Sequence, residues 1–526
     1  MLVRKKKNPS GVISIQVVYK RSGRYRVIKT IGSSSDASTV EALFEEGQKW
    51  IAGYQGQQDL FEQSGLDREE SRITEYFLSN VESILINGTQ LILDNVFKLV
   101  GFDKVSDDIL KFLVIARLSQ PMSKSATVDY LKSHFNEDYE LHKIYRYLDK
   151  LYNHQQALIQ EISIEHTRMI LGGQIGLMFY DVTTLYFETD KTDELREPGF
   201  SKDGKHSQSQ VVLGLLVSKE GYPLSYSLFN GSQYEGWTMV PLLEDFIQRF
   251  KLEDFVVVAD SGLMNKTNLA LLESGGYKYI IGARIKNETA QAKQWILSRE
   301  KKEGAFYEHK KKDGTRLIIG YSEKRAKKDK YNREKGVARL QRAYKNGKIT
   351  KEHVNKRGYN KFLDISKDIT VDINQDKIKE DEQWDGLKGY ITNTNLSAEE
   401  IYEQYSGLWV VEKAFRVTKG TLEVRPMFHF TTRRIEAHVC ICFVAYKVYK
   451  EFERILKNSN IKLSVDKVLS IAKTVTTIKI KLPESGSTLE KVMLLTPQQK
   501  SIAPLFDQKF WKAIAVLDNG KTQKPT

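Results

Sequence analysis

Apolar, β-branched runs separated by Gly, Asp or Lys dominate the middle of the chain: GLMFYDVTTLYFE, SQVVLGLLVS, GYPLSYSLFN, DFVVVADSGL and GYKYIIGARI. Runs of this length and composition read as strands. Thr238 to Phe250 and Lys266 to Ser274 carry helical spacing instead, which places one helix between the third and fourth runs and another between the fourth and fifth. A meander followed by strand–helix alternation predicts an α/β fold, a mixed sheet flanked by helices. Ahead of it, GVISIQVVYKRSGRYRVIKTIG predicts a hairpin turning at Arg21-Ser22-Gly23, and Ser33 to Asp36 supply turn and N-cap chemistry for a helix around Ala42 to Ile51. Residues 103–171 read almost wholly helical, with a short break at Asn136 to Asp138. That pattern is shared by a DNA-reading helix-turn-helix and an ordinary helical hairpin. Strand character returns at GLKGYITNT, and Asn395, Ser397, Glu399 and Glu400 give an N-cap and acidic first turn for the helix that follows.

Three acids interrupt this apolar pattern. Asp181 lies within the first strand, Asp260 at the C-terminal end of the fourth, and Glu412 among Leu408, Trp409, Val411 and Phe415 on the last helix. The C-terminal end of a strand in an α/β sheet is where ligands usually bind. A lone buried carboxylate is costly without a neutralising partner, so three converging acids predict a bound divalent cation. Hard oxygen ligands suit Mg²⁺ or Mn²⁺, and paired ions of this kind serve in-line phosphoryl transfer. On the Glu412 helix, Tyr405, Glu412 and Lys419 are spaced by seven, nearly two turns, and Arg416 lies one turn beyond Glu412, so all four share one side.

Charge adds a substrate. The 526 residues carry a net charge of +14. Between Lys324 and Lys361, fifteen Lys and Arg face three acids, so this one segment holds +12 of that total. Tyr331, Leu340 and Tyr344 recur within it at helical spacings, which favours an ordered phosphate-binding face, including Lys324, Arg325, Lys327 and Lys328, over a solvated loop. The two cysteines, Cys440 and Cys442, form no disulfide framework and no four-ligand zinc site, and read as buried thiols in a reducing cytoplasm. MLVRKKKNPSG is basic but no apolar stretch follows it, and nothing approaches a membrane span.

The spacing Tyr405-x2-Leu408-x3-Glu412-x6-Lys419 resembles the Y-x2-R-x3-E-x6-K signature of bacterial insertion-sequence transposases with an Asp-Asp-Glu active site, with Leu408 standing where that signature has Arg. Asp181-Val182-Thr183 resembles the D-x-T of the first acid, and VVADSGL around Asp260 the motif of the second. The likeness runs from about Tyr180 to Tyr446 and includes EVRPMFHFTTRRIEAHVCICFVAY.

The resemblance implies an RNase H-like sheet interrupted by an inserted domain, since 79 residues separate Asp181 from Asp260 and 152 separate Asp260 from Glu412. The expected division is a hairpin and helices at 1–102, a helical segment at 103–172 that is the candidate DNA-binding helix-turn-helix, the catalytic domain at 173–286 and 386–450, a basic insertion at 287–385 and a helical region at 451–526. It further implies two Mg²⁺ (or Mn²⁺) ions per active site: Asp181 bridging both, Asp260 holding one and Glu412 the other. Tyr405, Arg416, Lys419 and Thr183 are then expected to hold DNA near the cut. The expected partners are double-stranded DNA, as element ends and target, and a second copy of the chain in a homodimer on DNA, with a bacterial, nucleoid-associated location. Two alternatives remain open: a nuclease of the same fold that never joins strands, and a catalytically inactive DNA-binding protein.

Overall fold

Ile15 and Val17, two apart on one strand, are fully buried and anchor a small β layer. The computed structural model describes residues 1–521 except 22, 55–59, 201–203, 205–206, 253, 264, 347, 349–352, 356–357, 366–370, 426 and 483–484. The chain forms two compact units, Met1–Ile84 with Ile478–Lys491 and Leu85–Thr477 with Val492–Thr526, a coarser division than the five segments read from the sequence.

In the first unit β1 (Leu2–Lys7), β2 (Ile13–Arg21) and β3 (Arg24–Ser34) form an antiparallel sheet in that order. The expected hairpin is β2–β3; its turn residue Ser22 lies outside the described residues. Strand β1 was not expected from so basic a segment. Pairing with β2 along its whole length outweighs its propensity, and lysines are a usual device for blunting a sheet edge. The helix α1 (Ala37–Tyr54) starts at Asp36, whose carboxylate accepts from Thr39 N at 2.9 Å. The helix α2 (Leu60–Ser79) and strand β4 (Val81–Leu85) follow.

The second unit opens with α3 (Gly88–Val100), α4 (Asp108–Ser119), α5 (Lys124–Tyr130), α6 (Leu141–Lys150) and α7 (Gln156–Ile170). The expected break falls at Asn136, which takes a left-handed conformation, φ 56°. Then come β5 (Leu177–Tyr186), β6 (Gln210–Ser218), β7 (Pro223–Asn230), α8 (Met239–Phe250), β8 (Val256–Ala259), α9 (Lys266–Ser274) and β9 (Lys278–Ala283), each where the sequence pattern put it. The stretch read as an insertion holds α10 (Ala290–Leu297), β10 (Phe306–Lys310), β11 (Arg316–Tyr321), α11 (Glu323–Lys345), β12 (Leu363–Ile365), β13 (Val371–Ile373) and α12 (Gln375–Glu382). It leads into β14 (Leu387–Thr392), α13 (Ala398–Ser406), α14 (Trp409–Arg416) and α15 (Thr432–Asn458).

Eight strands form one mixed sheet in the order β10-β11-β14-β9-β8-β5-β6-β7. Strands β5, β6 and β7 are antiparallel neighbours, β8 runs parallel to β5, and β9 parallel to β8. This is the mixed sheet flanked by helices that the sequence pattern predicts. The inserted strands β10 and β11 do not stand apart as a separate sheet: they extend the same one through β14. One face packs on Met239, Leu243 and Phe246 of α8, and the other on Val411, Ala414 and Phe415 of α14 and the apolar face of α15. Among the described residues no helix is long and apolar enough to cross a membrane.

Beyond α15 lie α16 (Val465–Ala472), β15 (Thr476–Lys481), β16 (Thr488–Met493), α17 (Pro497–Ser501) and α18 (Gln508–Lys521). The sequence expectation of a helical region at 451–526 is therefore corrected, since two strands lie within it. TTIKIK and TLEKVM alternate with period two, and β16, β15 and β4 form a three-stranded sheet.

Candidate active site

Strand β5 is buried on both faces except at its ends and at Asp181, which is half-buried. Side chains alternate along a strand, so Asp181 shares its face with Phe179 and Leu185, the face covered by α14 and α15. Tyr180 pairs in register with Ala259, the last residue of β8, so Asp181 and Asp260 are the next positions along two adjacent parallel strands. There β8 ends and the chain turns through Ser261–Leu263. Arg284 pins that turn, donating to the Ser261 and Gly262 carbonyls at 2.9 and 3.1 Å.

Asp260 is exposed rather than buried, and so is Glu412. The expectation that three buried carboxylates demand neutralisation is corrected on this point. Strand β8 stops one residue before Asp260, and Glu412 points away from the α14 stripe of Val411, Ala414 and Phe415 that packs on the sheet. Trp409, counted with that stripe, is 58% exposed and does not belong to it. The helix carrying Glu412 is also not continuous with Tyr405. It breaks at Gly407–Leu408, and Lys419 lies in a π-helical stretch, Val417–Thr421, where it is half-buried. A Cβ at Gly407 would come within 2.6 Å of the Phe179 ring, so this junction lies directly against β5.

Tyr405, expected to touch DNA, is buried instead. Its hydroxyl donates to Asp260 Oδ1 at 2.9 Å, and its ring centroid lies 4.8 Å from that of Tyr390 on β14. Gly282 on β9 makes room for that hydroxyl, since a Cβ there would come within 2.6 Å of it. Burial, then the Asp260 charge, raises the phenol well above its ordinary range, so it remains a donor. The Lys388 ammonium stands 4.2 Å from the Tyr405 ring centroid. Its pKa is lowered by burial and then by Arg325, while Asp260 and Glu412 act in the opposite direction. One lysine thus senses two of the three acids and the first turn of the basic helix.

These groups line a cleft of about 650 Å³ that includes Asp260, Arg284, Arg325, Lys388 and Tyr405. Of the basic residues singled out in the sequence, Arg325 reaches this cleft. Lys324, Lys327 and Lys328 are exposed on the same helix, α11. The basic run is therefore helical from Glu323 to Lys345, with Leu340 buried and Tyr331 and Tyr344 exposed. Arg416 is exposed on α14, whereas Thr183 is 5% exposed inside β5 and is not placed to meet a phosphate. Sequence reasoning missed Lys388 and Arg284. Lys388 had a signal, a charge inside the strand-like run GLKGYITNT; Arg284 had only its place just after a strand end.

Asp181 and Asp260, adjacent in register, offer the hard oxygen donors that a divalent cation takes. As placed, no three His, Cys, Asp or Glu among the described residues stand close enough to hold a metal together, so Glu412 does not complete a three-acid cluster with Asp181 and Asp260. The donor chemistry fits such a cation; the full ligand set is not assembled.

The family model described as Transposase DDE domain matches residues 173–447, just over half of the chain. No curated protein matches the sequence. Among solved structures, the cryo-EM piggyBac transposase synaptic complex with hairpin DNA is 8% identical over 84% of this chain and 82% of that one, at a TM-score of 0.36. The Mos1 transposase paired-end complex with left transposon end is 10% identical over 33% of this chain and 58% of that one, at a TM-score of 0.15.

Proposed function

The chain belongs to the DDE transposase family, and from that premise we propose that it cuts and joins DNA at the ends of a mobile insertion sequence, as a member of the bacterial group with the Y-x2-R-x3-E-x6-K signature. The observation that carries this reading is the pairing of Asp181 and Asp260 at neighbouring strand positions, with the Glu412 helix packed on the same sheet face. Asp181, Asp260 and Glu412 would hold Mg²⁺ (or Mn²⁺), two ions per site; when bound, these supply a Lewis acid for the phosphodiester and lower the pKa of the attacking oxygen's proton.

The chain's own residues do the rest. Tyr405 fixes the orientation of the Asp260 carboxylate through its hydroxyl. Arg284 holds the turn that follows Asp260, and Arg325 and Lys388 place positive charge along the cleft, where a DNA phosphate would lie. Arg416 and the exposed cations of α11 extend that charge outward. No protein nucleophile is required, since a water or a DNA 3′-hydroxyl attacks the phosphorus directly. A nuclease that only hydrolyses would leave no strand-transfer products, and supplying element ends with a target duplex distinguishes the two.

Tyr405→Phe keeps the ring on Tyr390 and removes the donor to Asp260. A hydrogen bond to a charged group is typically worth about 1.5–3 kcal/mol, so single-turnover cleavage is expected to slow by roughly tenfold or more with the thermal midpoint little changed. An unaltered rate would make Tyr405 a packing residue only.

One set of three acids per chain cannot process two element ends at once, so the active species is proposed to be a homodimer on DNA, mainly monomeric before the polyanion bridges two basic surfaces. Mixing wild-type with Glu412→Ala chains should reduce coupled double-end joining more steeply than the wild-type fraction. Strictly proportional loss, with one chain per complex by light scattering, contradicts it.

A further inference from the structure

Where α4, α5 and α15 meet, two cations are buried without a carboxylate. Arg117 on α4 is 7% exposed and Lys124 on α5 is 5% exposed. The Arg117 guanidinium donates to the Met122 carbonyl at 3.2 Å, and the Lys124 ammonium stands 3.4 Å from Nδ1 of His438. Neither makes an ion pair among the described residues. His438, buried on α15, has its ring 5.1 Å from that of His429. These four side chains line a pocket of about 150 Å³, in which Glu423 is the one acid, and Glu423 is exposed.

Burying a charge is costly unless an opposite charge meets it, and here the fold buries two of like sign side by side. The surroundings register that field. Burial and then Arg117 pull Lys124 down to about 7, and burial followed by Lys124 and Arg117 pulls His429 down to about 3. His438 is lowered well below its ordinary value by the same causes. A metal cation is disfavoured among such neighbours despite the two imidazoles. An anion relieves every one of these costs.

We propose that this pocket binds a phosphate-type oxyanion, held by the Arg117 guanidinium and the Lys124 ammonium with His438 beside them. A planar guanidinium fork matches the oxygens of a phosphate, and an ammonium adds a point charge. The volume is well below the ~300–1,000 Å³ of pockets that enclose whole small molecules, so it suits one phosphate group rather than a nucleotide. None of its lining residues lines the cleft at Asp260, so this is a second anion site, additional to the proposed reaction. A DNA backbone phosphate and free inorganic phosphate share the required chemistry.

Calorimetric titration of the full chain with inorganic phosphate, at ionic strength held constant with chloride, tests the site. The wild type should give a saturable one-site isotherm, and Lys124→Met, which keeps the length of the stem and removes the charge, should weaken it by roughly 10- to 100-fold. No saturable binding by the wild type overturns the proposal whatever the variant does, as does equal binding by a folded Lys124→Met chain. The source follows from DNA binding measured against salt. If Lys124→Met also lowers the slope by about one unit, the occupant is a DNA phosphate. If the slope is unchanged while phosphate binding is lost, the occupant is the free anion.

Discussion

Alanine in place of Asp181, Asp260 or Glu412, one at a time, is expected to lower DNA cleavage by roughly a thousandfold or more while duplex binding stays largely intact. The reason is spatial. Asp181 and Asp260 sit at neighbouring positions of β5 and at the end of β8, and Glu412 on α14, whereas a net +7, half of the chain's total of +14, lies on α11. Glu412 is exposed, and such substitutions usually change stability by no more than about 0.5 kcal/mol, so a dead Glu412→Ala chain should still melt like the wild type, whereas Asp260→Ala also strips the buried Tyr405 hydroxyl of its acceptor. Single-turnover cleavage of a labelled duplex, with a thermal melt as control, reads both quantities. Near-normal cleavage by any of the three variants removes that acid from the site.

Neutralising the cations at the start of α11 should have the next largest effect. Changing Lys324, Arg325, Lys327 and Lys328 together to Gln is expected to weaken binding to all sequences alike and to flatten the salt dependence by close to one unit per lost phosphate contact. Four contacts amount to a loss on the order of a thousandfold at ~0.1 M salt. Arg333 is deliberately outside this set. Although it lies in the same basic run, it is 4% exposed and makes a bidentate pair with Asp385 at 2.5 and 2.8 Å, so it seats α11 against the loop before β14. An unchanged salt slope in the fourfold variant would falsify the assignment of these cations to DNA.

Much of the catalytic sheet was legible because its strands are made of contiguous apolar and β-branched residues, a signal that survives without knowledge of the partners. The two aspartates stood out for the same reason: each is a charge set against such a run. Their exposure was not legible, because it depends on where β8 stops relative to β5, and a strand end is set by its neighbours. Glu412 shows the limit of periodicity. A spacing of seven places residues on one side only if the helix is unbroken, and Gly407, required by the close approach of Phe179, interrupts it. Tyr405 was ambiguous in principle, since an aromatic at helical spacing serves packing and phosphate contact equally well in a sequence; its bond to Asp260 is a contact across 145 residues. Strands β1 and β10 escaped notice because LVRKKK and FYEHK carry too much charge to read as β, and it is pairing with a neighbour that makes them strands. Arg117 and Lys124 gave no signal at all, being brought to His438 from more than 300 residues away along the chain.

The most direct test of the central claim is to incubate the purified full chain with labelled DNA bearing the ends that flank its own coding sequence, a target duplex and Mg²⁺, and to resolve the products on a denaturing gel. The proposed function predicts cuts at the element ends followed by joining of the freed 3′-hydroxyls to the target, with both lost in Asp181→Ala and when Mg²⁺ is replaced by EDTA. Cuts that are never followed by joined products, or products that form equally well in Asp181→Ala, would contradict it.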